Sequence, residues 1–168
     1  MGQCIKHREV IADTWRTLPT DAEIPADGDV IVPLARWLSE KERLLARTGR
    51  TGVLLEPADE PDALAGDVGR LPLVAVNFPA FTDGRGYSTA RLLRERFGYD
   101  AELRAVGDVL RDQIFYLVRC GFDAFRLRDD QDPHAALAAL DTFSEVYQAG
   151  VDRGPLFDRR PASTESVR

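Results

Sequence analysis

Residues 71–98 read LPLVAVNFPAFTDGRGYSTARLLRERFG, and this stretch decides the fold. Its opening, LPLVAVNF, is apolar almost without interruption, the pattern of a strand covered on both faces. From Gly84 the spacing becomes helical, with Thr89, Leu92, Leu93, Arg96 and Phe97 in register and Gly98 as the stop. Between strand and helix lies FTDGRGYS, with two glycines, an aspartate, an arginine and three hydroxyl side chains. A strand entering a helix through a short polar turn is half of a βαβ unit.

The unit recurs outward in both directions. Strands are predicted over DVIVPL, TGVLLEP, AELRAV and DAFRLR, and REVIADTW reads as a strand that forms half of an edge hairpin, with LPTDAEIPADGD returning from it. Helices are predicted over ARWLSEKERLLARTG, with Leu34, Trp37, Leu38, Lys41, Leu44 and Leu45 at helical spacing, and over GDVLRDQIFYLVRCG, with Leu110, Ile114, Leu117 and Val118 inward. EPDALAGDVGRL reads as a short helix with Pro61 in its first turn. Asp132 caps, and Pro133 starts, a helix expected to reach about Gln148, with Ala136, Leu140, Phe143 and Tyr147 on one side. From Val53 onward strand and helix alternate at intervals of roughly 20 to 28 residues. The expectation is a single α/β domain over 1–150 with a mostly parallel sheet, followed by a flexible tail over 151–168. A closed eightfold (βα) barrel needs at least ~200 residues, so an open sheet or a truncated barrel is expected.

At 168 residues and 44% hydrophobic content the chain can fill one core. The net charge of −6 argues against a nucleic-acid or anionic-membrane partner, both of which select a basic face. The balance is uneven: Gly84 to Arg128 holds nine arginines against six acids, a local +3 that leaves −9 elsewhere. Such a centre suits a small anion or an acidic partner, or consists of arginines spread over solvated helix faces. Cys4 and Cys120 stand apart with no CxxC or CxH spacing, so no zinc or iron–sulfur site is expected from this chain alone, and no metal ligands are assigned. With no leader pattern and no apolar run near the ~20 residues of a membrane span, the cytoplasm is the expected compartment.

In parallel α/β folds ligands bind beyond the carboxyl ends of the strands. There the chain places Asn77, the loop Thr82 to Thr89, then Gly107 and Asp108, then Arg128, Asp129 and Asp130. The amides of Gly86, Tyr87 and Ser88 could hold an anion that Arg85 pairs bidentately, with Gly84 and Gly86 allowing the bend and Thr82 and Asp83 leading into it. The alternative is a plain turn in which Ser88 or Thr89 caps the helix. Asp108 reads as an N-cap or as an acid of the site, and Arg111, Asp112 and Gln113 as ligand-orienting groups or as salt links on a helix. Cys120, just before a stop glycine, reads as a packed residue, and His7 and His134 have no nearby nucleophile.

The blocks FPAFTDGRGYSTARLLRERFGY, ELRAVGDVLRDQIFYLVRCGFDAF and DVIVPLARWL together resemble the bacterial domain-of-unknown-function family 934, from REVIADTW to about FSEVYQ. The resemblance implies a role in assimilatory sulfur metabolism, since members sit beside the sulfite reductase haemoprotein and carry an oxidoreductase label in sulfite reduction. Sulfite reduction moves six electrons, and no haem, flavin, nicotinamide or iron–sulfur pattern is readable here, so no cofactor is assigned. The resemblance therefore implies an accessory protein that acts with the haemoprotein or its electron donor. The alternatives are a small cytosolic enzyme binding an anionic sulfur or phosphorylated metabolite at DGRGYS, and a structural or regulatory subunit without a ligand.

Overall fold

LPLVAVNF forms the strand its composition demands, β6 (Leu73–Phe78), in the interior of an eight-stranded sheet. The fold is seen in a computed structural model that describes residues 2–141 and 150–151. The other strands are β1 (Gln3–Lys6), β2 (Glu9–Ala12), β3 (Arg16–Thr17), β4 (Val30–Pro33), β5 (Thr51–Leu55), β7 (Glu102–Gly107) and β8 (Ala124–Phe125). Their order is β2-β1-β8-β7-β6-β5-β4-β3, parallel throughout from β3 to β8. The N-terminal hairpin closes the far end, β1 lying antiparallel to β8 with Ile5 opposite Phe125. Glu9–Ala12 is thus half of an edge hairpin, as expected. Its partner strand precedes it, and the turn between them, His7 and Arg8, has both φ angles positive, as a two-residue I′ turn requires.

The sheet curls into a half-barrel and sorts its residues by alternation. On β4, β5 and β6 the residues Val30, Val32, Val53, Leu55, Val74, Val76 and Phe78 enter the main core on the helix-covered side. The intervening Ile31, Leu73 and Ala75 face the other side, where Trp15, Leu54 and Val106 pack on them. Period-two sorting in a strand buried on both faces explains why the run is apolar at nearly every position.

Four helices cover the convex side: α1 (Leu34–Leu45), α2 (Arg85–Arg91), α3 (Ile114–Arg119) and α4 (Pro133–Leu137). Trp37 seats α1 on the sheet with its ring fully out of solvent, and its indole N–H donates to Asp67 at 3.0 Å. Burial pushes the Asp67 carboxyl up, but hydrogen bonds from Lys41 and Trp37 more than reverse this and hold it below the usual range. Leu38 and Leu45 face solvent despite their helical spacing, and Arg36 is buried in their stead, donating to Glu40 and to the Pro19 carbonyl.

Three elements differ from expectation. The segment after β5 is two short 3-10 turns, Pro61–Leu64 and Val68–Arg70, not one helix. α2 widens into a π-turn over Leu92–Arg96, which turns Leu93 fully inward and leaves Leu92 partly in solvent. That turn seats Arg94, whose guanidinium donates to the carbonyls of Gly121, Tyr99 and Ala101 and to Asp123. The helix expected from Gly107 begins only at Ile114, after a 3-10 turn at Arg111–Gln113. Asp132 does cap α4, accepting from the His134 N–H at 2.9 Å. The continuation of that helix to Gln148, with Phe143 and Tyr147, and the tail beyond Val151 lie outside the described residues.

Candidate functional site

The concave face of the half-barrel holds a groove of about 340 Å3. Every strand from β3 to β8, or the residues just beyond it, contributes a wall residue: Thr17, Ile31, Leu54, Asn77, Val106 and Arg126 in turn. Ile31, Leu54 and Val106 make its apolar wall. Its charged lining includes Asp13, Arg104, Arg126 and Arg128, and Arg104 stands two residues before Val106 on the same face of β7.

Arg104 sits mid-strand on β7 and is only 2% exposed. Its Nη1 donates to Asp13 at 2.8 Å and its Nε to Glu102 at 2.8 Å, while Lys6 closes on the other Glu102 oxygen at 2.6 Å. Burial alone would push the Arg104 guanidinium down, yet the charges of Cys4, Glu102 and Asp13 hold it above the usual range. Burial likewise lifts the neighbouring Cys4 thiol to about 11.

Where the strands end, the rim is tied from loop to loop. Asp108, just past β7, accepts the Phe81 N–H at 2.9 Å and an Arg128 N–H at 2.8 Å. Arg128 then grips Asp130 with two parallel bonds of 2.6 and 2.8 Å, which depress the Asp130 carboxyl to about 2. One strand earlier, Asn77 donates to Glu56 at 2.7 Å. Gly107 has φ +94°, and a side chain there would lie 2.4 Å from the Asn77 Oδ1, so only glycine lets β7 end against this rim.

Arg126 differs from its two neighbours. It is exposed, it lines the groove, and among the described residues its guanidinium makes no hydrogen bond or ion pair. Arg104 and Arg128 are each held by two carboxylates, whereas Arg126 is available to a ligand.

The sequence-predicted residues are arranged differently from that expectation. Asp83 answers Arg85 directly, accepting from Nε at 3.0 Å and Nη2 at 2.6 Å, which lowers its carboxyl and raises the guanidinium. The Arg85 amide also donates to Asp83, and the Tyr87 amide to the Gly84 carbonyl. Asp83 and Arg85 thus satisfy each other within the turn, and none of the residues Thr82 to Ser88 lines the groove. Gly84 stands at the helix start without a side-chain cap, and Thr89 bonds back to the Arg85 carbonyl, so neither Ser88 nor Thr89 caps α2. Gly86 serves packing: a Cβ there would come 2.6 Å from the Phe78 ring. The Tyr87 hydroxyl meets the Gln113 amide at 3.1 Å, and burial raises the phenol. Asp108 is not an N-cap, because the next helical turn begins at Arg111 with Leu110 in the cap position; its rim contacts take that carboxylate. Arg111 and Asp112 are exposed and, among the described residues, pair with each other. Cys120 is buried, as expected.

Sequence reasoning passed over Arg104, Arg126 and Asp13. The signal for the first two is alternation: AELRAV and FRLR carry arginines at strand period, pointing to one face of the sheet. Asp13 carries no local signal. Among the described residues no group of three or more His, Cys, Asp or Glu side chains is placed to hold a metal ion, and no helix is long and apolar enough to cross a membrane.

Fold and groove together define an α/β half-barrel whose concave face carries a groove lined in part by Arg104, Arg126 and Arg128. The chain belongs to the family described as "Bacterial protein of unknown function (DUF934)", which matches residues 52–157, more than half of its length. Neither the curated proteins nor the solved structures give a match.

Proposed function

We propose that this protein is an accessory protein of assimilatory sulfite reduction, acting with the sulfite reductase haemoprotein or its electron donor, and that it holds a small anion in the concave groove. The sulfur connection is supported by the sequence blocks that resemble family 934. The anion is supported by one observation above the others: Arg126 presents an unengaged guanidinium to a groove whose remaining arginines are already paired. A guanidinium recognises sulfur or phosphorus oxyanions and carboxylates with paired donors. The groove lies on the ligand side of a parallel α/β sheet, where loops after β6, β7 and β8 meet.

The test is growth of a deletion strain complemented with the parent chain or with Arg126→Ala. The parent should restore growth on sulfate and sulfite, the variant should not, and sulfide should support all strains. Normal growth of the deletion strain on sulfite would remove the sulfite-reduction role. Full complementation by Arg126→Ala would remove the anion site. Co-purification of the haemoprotein with the tagged chain tests the partner directly.

A further inference from the structure

The groove's lining is of two kinds, charged and apolar, and the mixture restricts what can occupy it. A bare inorganic oxyanion needs donors on several sides, because each of its oxygens loses water on entry. Among the described residues that line the groove, only Arg126 offers an unengaged cation. Arg104 spends its charge on Asp13 and Glu102, and Arg128 spends its charge on Asp108 and Asp130. Beside them along the sheet, Ile31, Leu54 and Val106 can donate nothing, and they pack with Leu73 and Ala75. Leu54 and Val106 remain partly exposed, and apolar surface open to solvent gains by being covered.

Resting on the anion-site reading above, we propose that the groove selects an organic anion: a carboxylate, sulfonate or phosphate monoester carried on an apolar or aromatic body. The charged head pairs with Arg126, and the body lies against Leu54, Ile31 and Val106. Asn77, on β6, stands beside Val106 in the sheet register, and its amide, fixed by Glu56, orients a polar group of the body. The volume, about 340 Å3, is at the small end of metabolite sites.

Calorimetric titration of the full chain with phenyl phosphate, inorganic phosphate and inorganic sulfate tests this. Phenyl phosphate is expected to bind on the order of tenfold or more tighter than either inorganic ion, from the apolar area its ring buries. Arg126→Ala should weaken phenyl phosphate at least tenfold. Leu54→Ser should weaken phenyl phosphate several-fold and leave inorganic phosphate unchanged, with circular dichroism checking that both variants fold. Inorganic phosphate binding as tightly as phenyl phosphate, and lost in Arg126→Ala, would overturn the organic-body proposal while keeping the anion site. Phenyl phosphate binding that ignores Arg126→Ala overturns it as well. No binding of any of the three anions by the parent chain would sink the anion-site reading itself, and this proposal with it.

Discussion

Arg104 of β7 and Asp13, in the connection from β2 to β3, meet in the lining of the groove at 2.8 Å although 91 positions separate them. With Glu102 and Lys6 they make a neutral set of four charges. A buried ion pair adds little net stability over an apolar replacement, but removing one member strands the others without water. Arg104→Ala is therefore expected to cost about 3 kcal/mol, read from urea denaturation. A loss below about 1 kcal/mol would mean that solvent reaches the abandoned carboxylates.

Gly86→Ala probes the helix-to-sheet contact. The added methyl meets the Phe78 ring at 2.6 Å, and Phe78 is itself packed against Tyr87 and Phe122. Overpacking of this kind costs about 1–3 kcal/mol. Thermal denaturation should show the loss, while ligand affinity in the groove stays at the parent value. A neutral Gly86→Ala would show that α2 can ride outward freely.

Arg85→Ala separates the loop from the groove. Arg85 is exposed and its partner Asp83 lies two residues away, so the midpoint of thermal unfolding should not move measurably. Phenyl phosphate binding should also be unchanged. A loss of binding in Arg85→Ala with retention in Arg126→Ala would return the site to the DGRGYS turn.

Alkali should destabilise the fold earlier than its carboxylates and lysines would suggest. Burial raises the Cys4 thiol from 9.0 to about 11 and raises the Tyr99 phenol as well. Between those values the unfolded chain releases the Cys4 proton and the folded chain retains it. Stability conferred by the neutral thiol is thus complete below pH 9 and declines as the pH rises toward 11. Cys4→Ala should flatten the midpoint-against-pH curve over that window. An unchanged slope would mean that the thiol is not the group responsible.

The frame was legible because β4, β5 and β6 each announce themselves by a short apolar run and a following break, and β7 and β8 follow at the same spacing. Periodicity is a local property, and local properties survive without coordinates. The groove was less legible. Arg104 stands in AELRAV, where an arginine in a strand suggests a solvent-facing edge, and its acid Asp13 is distant in the chain. DGRGYS was conspicuous for the opposite reason: its polar groups are dense in sequence, and that density lets Asp83 and Arg85 satisfy each other. Asp108 follows a glycine at a strand end, which suits an N-cap, but only the fold brings Arg128 and the Phe81 amide to it.

The strand order also carries a timetable. From β4 to β8 each strand pairs with the one synthesised just before it, so this part of the sheet can grow as the chain leaves the ribosome. The N-terminal hairpin is made first yet must wait for Phe125 before Ile5 has a partner. Closing that long loop comes late, because its entropy is lost before any contact rewards it. Lys6 and Asp13 arrive with the hairpin, so Glu102 and Arg104 spend the interval as a nascent edge with half their counter-charges missing. The beginning of the chain is thus expected to be the last piece to lock, and its amides should gain protection from exchange after those of β5 and β6.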